Sequence, residues 1–398
     1  MDLLSTYPPA QLTVARGQGC YLYDETDRAY LDLLSGLWCC ALGHGHPRFV
    51  AALQEQLGRL INLHTLTGSV EIARATDRLA TILPPHLSRA TWLNTGSEAV
   101  ELALKIAQLA HPADGIVVWE RGYYGATNLA SSLSRPAGDN WYEPPSWRVP
   151  APHCSRCPAG ARYPECDFLC LDRAMEPVER VAAVLYEPVM GSGGVIVPPP
   201  GYGHRVQEWA RRLGALLILE EVTTGMGRTG RWFGFQHEDM QPDILVLGKV
   251  LGNGLPVAAV VTTTAVEAGC GDRLHHVQSH QNDPWSGAVA ATVIDILRED
   301  ELVERSAALG QQLLAQLDDL AQCSPALAEA RGLGLMAALE LADGQTGPAL
   351  QAHLLGQGIL ADYKASCQCL RLFPPYIIRP EQIARVVAAI GAFLDGHA

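Results

Sequence analysis

Three short stretches carry residue types that could do chemistry together. The stretch "ALLILEEVTTG" (215–225) runs an apolar strand into Glu220 and Glu221. Burying an ionised carboxylate without a partner is costly, so a strand that delivers one to its end implies a cation, a metal or a set of donors there. The other reading is that the strand stops at Leu219 and both glutamates are solvated. The stretch "DILVLGK" (243–249) brings Lys249 out of a second apolar strand, just ahead of the glycine turn "LGNGLP". In "NTGSE" (94–98), Thr95 and Glu98 have the spacing of a capping box at the start of a helix. Free N–H groups at such a terminus, here around Gly96 and Ser97, make a phosphate site. A lysine amine beside a phosphate site and a buried carboxylate suits Schiff-base catalysis with pyridoxal 5'-phosphate, whose pyridinium nitrogen needs an anionic partner. Glu220 would then hold the proton on that nitrogen.

Lysine usage singles out the same residue. Of 29 basic side chains only Lys105, Lys249 and Lys364 are lysine. Lys105 lies four residues after Glu101 in the helical pattern "SEAVELALKIAQLA", where a surface ion pair between the two is expected.

The elements that must position these groups alternate along the chain. Strand patterns lie at 91–94, 115–119, 181–189, 215–221, 243–248 and 256–263, and helix patterns at 68–82, 97–110 and 203–213. Strands that are apolar throughout point to an α/β core with a mostly parallel sheet covered on both faces. In such sheets ligands collect at the carboxyl ends of the strands, and Glu220 and Lys249 each follow one. From about residue 288 the pattern changes to helices at 288–298, 300–322, 347–356 and 380–395 around the strand "LGLMAALEL". The expected division is a segment 1–45 belonging to a small domain, a large domain 46–287 and a C-terminal part 288–398. The segment 134–170, rich in Pro, Cys, Arg and aromatics, is expected to be a long irregular loop.

Composition bounds the partners. With 48% hydrophobic residues in 398, the chain is a soluble globular protein with a large core. Its net charge of −13, with no Lys/Arg run, argues against nucleic acid. No apolar run is long enough to span a membrane, and the start lacks a leader pattern, so a cytoplasmic location is expected. Eleven mostly scattered cysteines fit reduced thiols better than a disulfide framework.

Taken in order, "YLDLLSGLWCCALGHGHP", "NTGSEAVE", "YEPVMGSGGVIVPPPGY", "EEVTTGMGRTG", "PDILVLGKVLGNGLP", "RGLGLMAALEL" and "LRLFPPYII" resemble the class III (ω-type) pyridoxal-phosphate aminotransferases of fold type I over nearly the whole chain. The resemblance implies an α/β fold type I architecture whose small α+β domain joins the N-terminal segment to the C-terminal part. It implies transfer of an amino group from an amino-acid donor to a ketone, aldehyde or keto-acid acceptor, and a homodimer with shared active sites. By position, Lys249 matches the Schiff-base lysine, and Gly96 with Ser97 part of the phosphate cup. Tyr123 matches the aromatic stacked on the cofactor ring and Val222 the aliphatic residue on its other face. Glu187 resembles the glutamate that pairs with an arginine and gates the carboxylate pocket, and Arg371 the arginine that binds the substrate α-carboxylate.

Four positions depart from the family pattern. Glu220 stands where an aspartate is usual, Tyr124 replaces the histidine of Tyr-His-Gly, and Thr223 replaces a glutamine that touches the cofactor's phenolic oxygen. Where a threonine from the neighbouring subunit usually reaches the phosphate, this chain offers Gln281 and Asn282. Trp38, Tyr124 and Trp141 are candidates to line a roomy substrate pocket. The spacing of Cys154, Cys157, Cys166 and Cys170 is adequate for zinc or an iron–sulfur cluster, but no partner CxxC exists elsewhere and no metal is expected to be required. An isomerase, epimerase or decarboxylase on the same scaffold is the nearest alternative, and a metal-binding protein organised by the cysteine segment a remote one.

Overall fold

In the computed structural model, which describes residues 4, 12–113, 115–134, 144–157 and 159–396, the apolar stretches assemble into a seven-stranded sheet. Its strands are β1 (Arg89–Leu93), β2 (Ile116–Trp119), β3 (Ser146–Val149), β4 (Ala183–Tyr186), β5 (Leu216–Glu220), β6 (Ile244–Leu247) and β7 (Ala258–Thr262). They lie in the order β1-β7-β6-β5-β4-β2-β3. β7 is antiparallel to both its neighbours and every other pair is parallel. All residues of β2, β4, β6 and β7 are buried, because helices cover both faces. All six strands expected from the apolar runs form; five are trimmed at their ends, and β1 begins two residues earlier than expected.

The seventh strand corrects the expectation for 134–170. β3 lies in that stretch, and the helix Leu169–Met175 begins at its end. β3 is an edge strand with only its last residue buried, so it lacks a continuous apolar run.

Helix α1 (Gly96–Ala110) begins with the expected capping box: the Thr95 hydroxyl accepts from the Glu98 N–H at 3.2 Å and the Glu98 carboxylate accepts from the Thr95 N–H at 3.1 Å. Its apolar face, including Val100, Ala103, Leu104 and Ala107, is buried against the sheet. Truncating a residue such as Leu104 to alanine would cost about 2–5 kcal/mol. The ion pair expected on this helix does not form. Lys105 Nζ donates to the carbonyl of His275, and Glu101 accepts the N–H groups of Leu129 and Ala130 at 3.0 and 3.2 Å. Free N–H groups at the start of the next helix outcompete an exposed ion pair.

Two smaller sheets flank the core. Val14–Gln18, Tyr21–Asp24 and Ala29–Asp32 form an antiparallel meander, and Ile359–Leu360 adds to it parallel to Ala29–Asp32. Leu327–Gly332, Ala337–Leu341, Cys369–Leu372 and Asp362–Lys364 form the other, antiparallel throughout. Helix α2 (Pro284–Glu299) runs through the boundary expected at 287–288.

The N-terminal meander ends in a strained turn. Buried Asp32 accepts the N–H groups of Leu34, Ser35 and Gly36 at 2.9–3.1 Å and contacts His44 at 2.8 Å. This network holds Ser35 and Trp38 at positive φ, where a side chain costs on the order of 1–3 kcal/mol. The Phe373 N–H donates to the carbonyl of Leu33 at 2.7 Å, and Trp38 stacks on the Phe373 ring at 4.3 Å.

Candidate active site

The carboxyl ends of β1, β2, β4, β5 and β6 face the same way, and each is followed within four residues by a candidate side chain. Gly96 and Ser97 follow β1, Tyr123 follows β2, Glu187 follows β4, Glu220 ends β5 and Lys249 follows β6. Extended Gly248 breaks β6, and Lys249 itself takes φ 46° at the head of a short 3-10 turn (249–252). That turn aims its amine back into the protein. Lys249 Nζ donates to the Thr223 hydroxyl and lies 4.6 Å from the centre of the Trp38 ring. Burial lowers the lysine's pKa, opposed by the negative charges of Glu220 and Glu187.

The adjacent glutamates at the end of β5 have opposite surroundings. Glu221 is saturated: it accepts from the Thr224 hydroxyl and from the N–H groups of Gly234 and Phe235, each at 2.7 Å. Burial still pushes its pKa up to about 7. Glu220 has one 3.3 Å bond from the Val222 N–H and, among the described residues, no lysine, arginine or histidine within ion-pair distance. Burial and then the charge of Glu187 raise its pKa well above the usual carboxylate range. Neither glutamate is solvated, so of the two sequence readings the buried one holds.

Val222 is wedged between two glycines. A methyl group added at Gly96 would lie 2.9 Å from a Val222 methyl, and one at Gly248 would lie 3.2 Å away. Half-exposed Tyr123 lies near enough to Glu220 for that carboxylate to raise its phenol pKa, after burial. The Ser97 hydroxyl accepts the N–H of Ala126 at 3.0 Å. The first-turn N–H groups of Gly96 and Ser97 are among those an α-helix leaves without an internal partner.

These residues fit pyridoxal 5'-phosphate. A buried carboxylate with no ion-pair partner among the described residues suits a protonated ring nitrogen, and the helix N-terminus suits a phosphate.

The gating pair expected by resemblance is different here. Glu187 is fully enclosed and accepts the N–H groups of Tyr123, at 2.7 Å, and Gly191; burial pushes its pKa up to about 7. It does not pair with Arg371. Arg371 is buried on Cys369–Leu372 and pairs with Asp362, its direct cross-strand neighbour. The guanidinium lies 4.8 Å from the centre of the Trp38 ring, and its Nε is buried without a partner among the described residues. Sequence reasoning missed Asp362 because the pairing depends on strand register, which no local pattern carries.

Three further expectations meet different surroundings. Tyr124 is a core residue: its hydroxyl accepts the N–H of Trp119 at 3.0 Å, so it lines no pocket. Asn282 accepts the N–H of Trp92 at 2.8 Å, while Gln281 donates to Thr91 at 3.2 Å and its carbonyl is buried without a partner among the described residues. Trp141 lies outside the described residues.

Cys154, Cys157, Cys166 and Cys170 line one small cavity with His153 and Tyr202. All eleven cysteines are free thiols. Among the described residues the His/Cys/Asp/Glu trio whose ligand atoms converge is His153, Glu329 and Glu340, and Arg331 and Arg156 already balance its carboxylates.

The chain is similar over nearly its whole length to known aminotransferases. The chain is 32% identical to the acetylornithine aminotransferase of Methanopyrus kandleri, over 97% of this chain and 95% of that protein. It is 34% identical to the ornithine aminotransferase of Bordetella pertussis, over 95% and 90%. The solved ω-transaminase of Pseudomonas jessenii in complex with PMP superposes with a TM-score of 0.91 at 29% identity, covering 99% of this chain and 96% of that one. The family model for class III aminotransferases matches residues 5–394, and the chain belongs to that family.

Proposed function

We propose that this class III, fold type I, pyridoxal-phosphate-dependent aminotransferase works through Lys249, and that Glu220 governs the cofactor's ring nitrogen. The observation that carries the reading is a buried carboxylate with no ion-pair partner among the described residues, near enough to the part-buried Lys249 amine for the two charges to act on each other. When bound, the cofactor supplies an electron sink for bond breaking at the substrate Cα. Lys249 would hold it through its amine, and the Gly96 and Ser97 N–H groups would hold its phosphate. Tyr123 and Val222 would flank the ring, and Thr223 would orient the Lys249 amine. Lys249 Nζ would then move the proton at the substrate Cα, its lowered pKa favouring the neutral base.

Arg371 would bind an α-carboxylate bidentately once that carboxylate displaces Asp362, with Trp38 forming the wall between Arg371 and Lys249. Gln281 and Asn282 would reach the phosphate of a second copy of the chain in a homodimer. Exposed Leu37, Leu66, Val70 and Val277 supply apolar surface for such an interface. Free thiols support a cytoplasmic location. The chain would divide into a segment 1–45, a large part from 46 to the end of α2 at 299, and a C-terminal part 300–398, in place of the boundary expected at 287–288. No helix among the described residues is long and apolar enough to cross a membrane.

The test is to load the protein with cofactor and add amines and amino acids singly, without an acceptor. The yellow absorbance should bleach with donors that transfer their amino group. Absence of bleaching with every donor, at full cofactor loading, would contradict the reading.

A further inference from the structure

Two cysteines that the proposed chemistry does not use stand at the edge of the site. Cys367 ends the short 3-10 turn Ala365–Cys367, Gln368 follows in the left-handed region at φ 53°, and Cys369 begins the strand that carries Arg371. A residue in the left-handed region brings its neighbours' Cα atoms to about 5–6 Å, a separation that a disulfide spans. The second sulfur is turned back toward the first residue: the Cys369 thiol donates to the carbonyl of Cys367 at 3.0 Å.

The two thiols differ in access. Cys369 is fully buried, whereas Cys367, 7% exposed, forms part of the wall of a cavity of about 510 Å³ that Tyr123 and Lys364 also line. A water-sized oxidant fits there. They differ in charge as well. The Cys369 thiol beside it, and then the charges of Arg371 and Lys364, hold the Cys367 thiol below its usual range, against the pull of burial. The Cys369 thiol is pushed up, first by Cys367 and then by burial. The thiolate is the nucleophile, so access and charge select the same sulfur. Cys369 is placed to act second, because Arg331 Nη2 donates to its sulfur at 3.0 Å and would steady a charge developing there.

We propose that Cys367 and Cys369 are a reversible oxidation site for small hydroperoxides, in which Cys367 reacts and Cys369 resolves. With hydrogen peroxide, the Cys367 sulfur attacks one oxygen: an S–O bond forms, the O–O bond breaks, and the leaving hydroxide takes up a proton to become water. Cys369 then gives up its proton and its sulfur attacks that of Cys367. The S–S bond forms, the S–O bond breaks, and a second water leaves. Two thiols lose two electrons and one peroxide becomes two waters; an added dithiol reverses the change. The bridge would draw Cys369 from its place opposite Lys364, two residues along the same strand face from Arg371. The effect on turnover therefore rests on the reading of Arg371 as the carboxylate-binding residue, whereas the oxidation does not.

The test treats the cofactor-loaded protein with hydrogen peroxide and maps its tryptic peptides. Cleavage after Lys364 and Arg371 isolates Ala365–Arg371, which holds both cysteines. This peptide should lose two hydrogens at peroxide concentrations that leave the exposed thiols of Cys154 and Cys323 unmodified, and regain them with dithiothreitol. In Cys369→Ser it should instead carry a sulfenic acid on Cys367 that dimedone traps, and in Cys367→Ser it should stay unoxidised. Oxidation of Cys154 or Cys323 first, or dimedone on Cys369 in Cys367→Ser, would overturn the proposal. In turnover, the bridged wild type should show a KM for α-amino acids raised about ten-fold, the scale of a small misplacement of a binding group, while Cys367→Ser is unaffected by the same treatment. An unchanged KM in fully bridged protein would overturn the effect on the site. Arg371→Ala, measured with the same donors, tells that outcome from a failure of the Arg371 reading, in which this variant too would keep its KM.

Discussion

At the scale of single residues, Glu220 and Glu221 carry one chemistry and two fates. On the proposed reading, Glu220→Gln removes the carboxylate that would face the ring nitrogen, so transamination should fall by orders of magnitude while cofactor loading persists. Glu221→Gln sets an amide among donors that now meet a carboxylate, and should cost about 1–3 kcal/mol of stability with kcat largely kept. Thermal melts and steady-state rates on both variants separate the roles. The reverse pattern would mean that the strand presents the other glutamate to the cofactor. Arg371→Ala should lower kcat/KM for α-amino acids by about 2–5 kcal/mol and spare simple amines. Asp362→Asn should lower KM for α-amino acids, because the guanidinium is released from its resident anion. Equal effects on both donor classes would make the pair structural. The roles of Lys249 and Glu220 were suggested by residue type and position alone. Asp362 was hidden, since only strand register pairs it with Arg371.

At the scale of elements, the apolar runs and the capping box were legible because each is a local pattern, and β5, β6 and α1 all form where those patterns lie. β3 was not, because an edge strand inside a Pro- and Cys-rich stretch has no buried run to betray it. The antiparallel setting of β7 is likewise a matter of tertiary packing. The junction of β1, α1 and β5 yields a direct prediction. Gly96→Ala puts a methyl group 2.9 Å from Val222, displacing the side chain proposed to flank the ring. Overpacking of this kind costs about 1–3 kcal/mol, so cofactor affinity should fall roughly ten-fold or more. A spectral titration of the cofactor-free protein measures it, and an unchanged Kd would mean that the ring lies elsewhere.

At the scale of the whole molecule, long-range contacts join segments that the sequence shows only as separate. The Asp32 turn brings Trp38 onto Phe373, and His153 and Arg156 anchor the cysteine stretch to Glu329 and Glu340 of the C-terminal sheet. The exposed apolar side chains at 37, 66, 70 and 277 predict a dimer. Sedimentation equilibrium should report twice the 42.8 kDa chain mass, and a monomer active at nanomolar concentration would count against shared sites. The central claim, that Lys249 holds the cofactor, has the most direct test. The cofactor-loaded protein is reduced with borohydride, digested, and mapped for the modified lysine. The structure offers three lysines: Lys105 bound to the carbonyl of His275, Lys364 bound to the carbonyl of Ser192 and Lys249 just after β6. The account predicts the label on Lys249 alone, with Lys249→Ala giving no stable adduct; a label on Lys364 or Lys105 would contradict it.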